Sequence, residues 1–152
     1  RPQLFSCWKL AEEVKEELRS WAEEHGVNAT LLVPEGVTAF ADRAMIKIIW
    51  RTLLFNAIRF SREGQTVTLF GGRKEALITM GVKDNGQGIA EDQLKALLSW
   101  DQPEVSTREK GVGLPMCKEL VRRNGGDLFA ESKEEQGSTF YFTLPEQPTA
   151  AG

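Results

Sequence analysis

Three short segments carry residues whose types and spacing suit the handling of a phosphorylated nucleotide. Asn56 stands among Leu53, Ala57 and Phe60, where an amide would need hydrogen-bond partners. Its carbonyl oxygen is a hard ligand of the kind that completes a Mg²⁺ site carried by phosphates. Arg59 lies about one turn further on, within reach of a phosphate. The second segment runs Asp84-Asn85-Gly86-Gln87-Gly88-Ile89. A carboxylate only accepts hydrogen bonds at neutral pH, and the exocyclic amine of adenine donates, so Asp84 is suited to read that amine. Gly86 and Gly88 lack a Cβ and let the backbone approach a flat base. The third is Lys110-Gly111-Val112-Gly113-Leu114, where glycines opening a helix leave N–H groups free to cradle phosphates at the positive end of the helix dipole. Each segment also has an ordinary reading: a core-bonded Asn beside a solvated Arg, an Asp-Asn-Gly turn, and a loop-to-helix junction.

The elements that must position these residues follow from periodicity. Residues 8–25 predict an amphipathic helix, with Ala11, Val14, Leu18, Trp21 and Ala22 on one face and Gly26 as its stop. Short strands are expected at 29–33 and 38–41. Asp42 then reads as the N-cap of a helix to about residue 60, with Met45, Ile48, Ile49, Leu53, Ala57 and Phe60 turned inward. Residues 66–70 and 76–82 read as a hairpin around the loop 71–75. A short helix is expected at 91–98, a mobile loop at 99–112, a helix at 116–123 ended by Gly125-Gly126, and a last hairpin from 127–132 and 138–144. Helices and hairpins in blocks predict an α+β two-layer sandwich, a mixed and largely antiparallel sheet packed on about three helices.

Composition narrows the classes. The 152 residues suit one domain, with 41% hydrophobic and 27% charged residues. A net charge of −3 with both signs interspersed gives no reason to expect a nucleic-acid partner, whose phosphates would favour a basic face. No apolar run reaches membrane-spanning length, and the first residues do not have the charged-then-apolar layout of a signal peptide. The start Arg1-Pro2-Gln3, without Met, predicts a fragment of a longer protein. Cys7 and Cys117 are read as core-filling free thiols in a reducing cytosol, and the tail from 146 is expected to fray. The only histidine, His25, is read as a solvated surface residue, and the four tryptophans as core and edge packing.

The order of the three segments resembles the ATP site of the GHKL superfamily, the Bergerat fold shared by gyrase B, the ninety-kilodalton heat-shock chaperones, MutL and the sensor histidine kinases. Asn56 matches the N box, Asp84 to Gly88 the G1 box, Gly111 to Leu114 the G2 box, and 99–112 the ATP lid. Residues 111–121, then Asn124-Gly125-Gly126, then Gly137-Ser138-Thr139-Phe140 through Leu144-Pro145, look like a sensor histidine kinase in particular. The resemblance implies ATP contacts at Asn56, Arg59, Asp84, Gly86, Gly88, Ile89, Lys110, Gly111, Val112, Gly113, Leu114 and Thr139, with Mg²⁺ held by Asn56 through the phosphates. It implies a cytoplasmic catalytic domain that phosphorylates a histidine on a separate dimerisation domain, which then feeds the receiver domain of a response regulator. The general base and acceptor histidine would lie outside this chain, which would be monomeric alone and part of a homodimer in the full protein, for which the resemblance allows an anchor in the inner membrane. The alternatives are a degenerate nucleotide-binding regulatory module, or an anti-sigma-type serine kinase or ATPase of the same superfamily. The chain departs from the family pattern at Thr52, where kinases usually carry Asn and hydrolysing relatives Glu. It departs again at Val112 and Pro115, and at Leu97-Leu98-Ser99-Trp100, where a Phe-rich box is usual.

Overall fold

The structure is a computed structural model that describes residues 1–86, 91–97, 113–133 and 136–146. The chain runs β1 (Pro2–Ser6), α1 (Cys7–Glu17), α2 (Arg19–His25), β2 (Asn28–Leu32), β3 (Thr38–Asp42), α3 (Arg43–Phe60), β4 (Thr66–Lys74), β5 (Leu77–Asp84), α4 (Glu91–Leu97), α5 (Leu114–Arg123), β6 (Asp127–Lys133) and β7 (Gly137–Pro145). Five strands form one sheet in the order β2-β4-β5-β7-β6, while β1 and β3 form a separate antiparallel pair. Only β2 and β4 run parallel; the other neighbours are antiparallel. The mixed, largely antiparallel sheet of an α+β sandwich is therefore present, with α1, α3 and α5 as its helical layer.

Strand alternation fixes which face meets the helices. Ile78, Met80, Val82 and Asp84 of β5 are buried, as are Ser138, Phe140, Phe142 and Leu144 of β7, so this set lines the inner face. Helix α3 crosses it, and Trp50 donates its Nε1–H to the Gly81 carbonyl at 3.0 Å while standing edge-on to Phe142. Asp42 ends β3 and caps α3 by accepting from the Met45 N–H at 3.2 Å, as its residue type predicts.

Several boundaries differ from expectation, each for a tertiary reason. The helix predicted over 8–25 breaks at Leu18, whose φ of −105° and ψ of 14° separate α1 from α2. Beyond the break Trp21 stacks on Phe55 at 4.3 Å and donates to its carbonyl. Ile48 was expected inward and is 40% exposed, whereas Ile46, Trp50, Leu54, Phe55 and Ile58 are buried. Because α3 is packed by the sheet, α1 and α5 at once, its buried arc is wider and centred elsewhere than a single apolar stripe suggests. The hairpin loop is not 71–75: Gly71 and Gly72 stay in β4 opposite Met80 and Thr79, and the turn is Glu75-Ala76 between paired Lys74 and Leu77. Strand β1 carries no local signal and exists through its pairing with β3.

Candidate functional site

Asp84 is the last residue of β5, on the inner face and 2% exposed. Its Oδ1 accepts from the Gly86 N–H at 2.9 Å and the Ser138 N–H at 3.2 Å. Its Oδ2 has no partner among the described residues. Burial pushes the carboxyl above the usual carboxylate range, and the two N–H bonds pull it partly back. With Oδ1 held and Oδ2 without a partner among the described residues, the carboxyl can still accept a further donor.

Two glycines set that geometry. A Cβ on Gly86 would lie 2.9 Å from the Phe60 carbonyl, so the turn after β5 presses on the end of α3. Gly137 has a φ of +95°, and a Cβ there would lie 2.2 Å from the Asp84 carbonyl, which only glycine accommodates. Ser138, adjacent to it, is 3% exposed and pairs its hydroxyl with that of Ser132 at 2.8 Å. Ser138 is not among the expected nucleotide contacts, although its alternation with Phe140, Phe142 and Leu144 puts it on the inner face. Thr139 is not brought to Asp84. It shares the outer face with its register partners Lys83 and Glu131.

Asn56 is half-buried on α3, and its side-chain amide has no hydrogen-bond partner among the described residues. Its position follows from how α5 lies on α3. The Asn124 amide contacts the Met45 sulfur at 3.5 Å, and Thr52 lies beside Cys117. Met45 and Thr52 are as far apart in sequence as Cys117 and Asn124, so the helices run antiparallel in step. One turn past Thr52 is Asn56, and one turn before Cys117 is Gly113, the N-cap of α5. Asn56 therefore stands level with the N-terminus of α5, whose N-cap offers no side-chain hydrogen bond and whose first turn carries no acid. Pro115 lies in that first turn, where its missing N–H disturbs nothing. Gly113 is exposed with an extended φ of −76°, and among the described residues an added Cβ would meet only Pro115, at 3.6 Å. Leu114, in contrast, is buried in the core.

Arg59, at the end of α3, lays its guanidinium 4.7 Å from the Phe60 ring centroid. Thr52 is buried, and its hydroxyl donates to the Ile48 carbonyl at 2.8 Å. Among the described residues, no three His, Cys, Asp or Glu side chains gather as a metal site. Gly88, Ile89, Lys110, Gly111, Val112 and the expected loop 99–112 lie outside the described residues.

Two further expectations meet the structure here. His25 is not a solvated residue: it is half-buried, its Nδ1 lies 2.9 Å from the Trp21 carbonyl, and its ring packs on Trp21, because α2 ends against that side chain. Cys7 and Cys117 are buried free thiols, and burial pushes both up to about 12. Among the described residues no helix is long and apolar enough to cross a membrane.

Comparison with known proteins brings in relatives. A family model described as "Histidine kinase-, DNA gyrase B-, and HSP90-like ATPase" matches residues 41–148. The adaptive-response sensory kinase SasA of Prochlorococcus marinus is 30% identical over 150 residues, covering 95% of this chain and 39% of that protein. The alginate biosynthesis sensor protein KinB of Pseudomonas aeruginosa is 35% identical over 108 residues, covering 68% of this chain and 18% of that protein. The chain thus spans well under half the length of these curated relatives. Among solved structures, the catalytic domain of histidine kinase ThkA superposes with a TM-score of 0.81 at 23% identity, over 96% of both chains. The mycobacterial sensor histidine kinase MprB gives 0.79 at 18% identity, over 98% of this chain and all of that one. These two likenesses establish the shared fold.

Proposed function

The chain belongs to the family of histidine kinase-, DNA gyrase B- and HSP90-like ATPases, and from that premise we propose that it is the catalytic domain of a sensor histidine kinase, binding Mg-ATP and presenting the γ-phosphoryl group to a histidine elsewhere. The observation that carries the nucleotide reading is Asp84. A buried carboxylate with Oδ1 fixed by two backbone N–H groups and Oδ2 open is matched by an adenine amine. The unpartnered Asn56 amide, level with the α5 N-terminus, supports placing the phosphates between them. Mg²⁺ riding on those phosphates would take the Asn56 carbonyl oxygen as a ligand and neutralise phosphoryl charge.

In this reading the domain orients and neutralises, which is the protein's main contribution to phosphoryl transfer. Thr52 supports transfer over hydrolysis. Its hydroxyl is engaged by the Ile48 carbonyl, and no carboxylate occupies that position to activate water. His25 is committed to Trp21, which favours an acceptor histidine on another domain. The SasA and KinB likenesses favour a two-component sensor. ThkA has been solved in complex with a response regulator protein, and a receiver domain is the partner proposed for the full protein.

The test is calorimetric titration with a non-hydrolysable ATP analogue, with and without Mg²⁺. Binding strengthened by Mg²⁺ is expected, and Asp84→Asn should weaken it at least tenfold, about 1.5–3 kcal/mol for a charge-assisted bond. Equal affinity in that variant would remove Asp84 from base recognition, and absence of binding in the parent would remove the kinase reading.

A further inference from the structure

Gln65 lies in the connection between α3 and β4, away from the three segments that define the candidate site, yet its side chain reaches into that site. Its Nε2 donates to the Asn85 carbonyl at 3.1 Å, and its Oε1 accepts from the Arg62 N–H at 2.8 Å. Its backbone is tied as well: its N–H donates to the Arg62 carbonyl at 3.1 Å and its carbonyl accepts from Asn28 at 3.0 Å. Oε1 needs a donor and Nε2 an acceptor, so the two side-chain bonds fix the amide in one orientation.

The Asn85 carbonyl and the Gly86 N–H belong to one peptide unit, which is planar and trans, so the two groups point in opposite directions. Gln65 holds the carbonyl side, and Asp84 Oδ1 holds the N–H side. Fixing one edge of the plane fixes the other, and a bond to the carbonyl also polarises the N–H into a better donor. The Gly86 Cα itself is wedged against Gln65 and Phe60, since an added Cβ would lie 3.3 Å from Gln65 Oε1 and 2.9 Å from the Phe60 carbonyl.

We propose that Gln65 is a positioning residue for base recognition, pinning the peptide whose N–H orients the Asp84 carboxylate and so sharpening the choice of adenine over a base with a carbonyl at the same place. This rests on the nucleotide reading above. A loosened Asp84 gains less from the adenine amine and suffers less from the hypoxanthine carbonyl, so discrimination falls more than general affinity does.

The purified chain would be titrated with a non-hydrolysable ATP analogue and its inosine counterpart, comparing the parent with Gln65→Met and Gln65→Glu. Met keeps the length without either hydrogen bond, and ionised Glu keeps the acceptor for Arg62 but lacks the donor for Asn85. Both variants should lose about fivefold or more of the adenine preference, with little change in melting temperature. Gln65→Lys, which retains an N–H donor, should keep more of it. An unchanged preference in Met and Glu variants, or equal loss for both nucleotides, overturns the proposal. Amide exchange at Gly86 without nucleotide decides separately whether the peptide is pinned: it should accelerate about tenfold in Gln65→Met. Unchanged exchange overturns the proposal, whereas accelerated exchange in a chain that binds no nucleotide upholds the pinning and removes only the nucleotide reading.

Discussion

At the scale of single residues, Asp84 combines a cost with a use. Burial disfavours its charge, and two N–H bonds recover only part of that, so its folded pKa lies above its unfolded one. Below about pH 4 the group is protonated in both states and contributes nothing. As pH rises through the window between the two values, the unfolded chain gives up its proton first and folded stability falls. Asn keeps an acceptor for the two N–H groups and has no proton to lose. In thermal melts Asp84→Asn should therefore gain on the parent between pH 4 and 7 while losing nucleotide affinity. A melting difference that stays flat over that range would mean that burial does not govern this carboxyl.

At the scale of elements, the site depends on how α5 and the last hairpin are seated. Asn124 joins the end of α5 to the start of α3, its Oδ1 accepting from the Asp42 N–H at 2.9 Å and its Nδ2 donating to the Leu120 carbonyl at 2.8 Å. Just beyond, a Cβ on Gly126 would lie 1.6 Å from the Thr143 carbonyl. Gly126→Ala must push β6 off β7, with an expected cost of roughly 2–3 kcal/mol in denaturant unfolding. The ion pairs between α1 and α3 weigh far less. Glu13 pairs with Arg43, and Glu17 with Lys47 and with Arg51, the last at 3.2 Å, but these side chains are about one-quarter to two-fifths exposed. Glu13→Gln should cost under about 1 kcal/mol and less in high salt. A larger, salt-insensitive loss would show that the pair is effectively desolvated.

At the scale of the molecule, one contiguous apolar core joins the sheet to α1, α3 and α5, so unfolding is expected as a single transition. Trp50 sits at its centre, fully buried, joining α3 to β5 through the Gly81 carbonyl. Trp50→Phe removes that hydrogen bond and leaves a gap behind the smaller ring. It should cost roughly 1–3 kcal/mol for the lost bond alone, read as a lower denaturant midpoint with unchanged slope. A change in slope would instead mean that Trp50 keeps the two layers cooperative.

The sequence by itself determined the family, the α+β class and the Asp42 cap, and it pointed to Asn56 and Asp84 as candidates, because these rest on local chemistry: a cap, an alternation, a glycine beside an acceptor. Tertiary structure alone decided that β1 pairs with β3, that Gly71 and Gly72 remain in a strand, and that Leu18 breaks a helix whose pattern continues through it. Those outcomes depend on partners distant in sequence. The same reason separates Ser138 from Thr139: the motif names both, but only pleating against β5 shows which one faces Asp84. Gln65 carries no sequence signal at all, since its role arises only where the end of α3 meets the turn after β5.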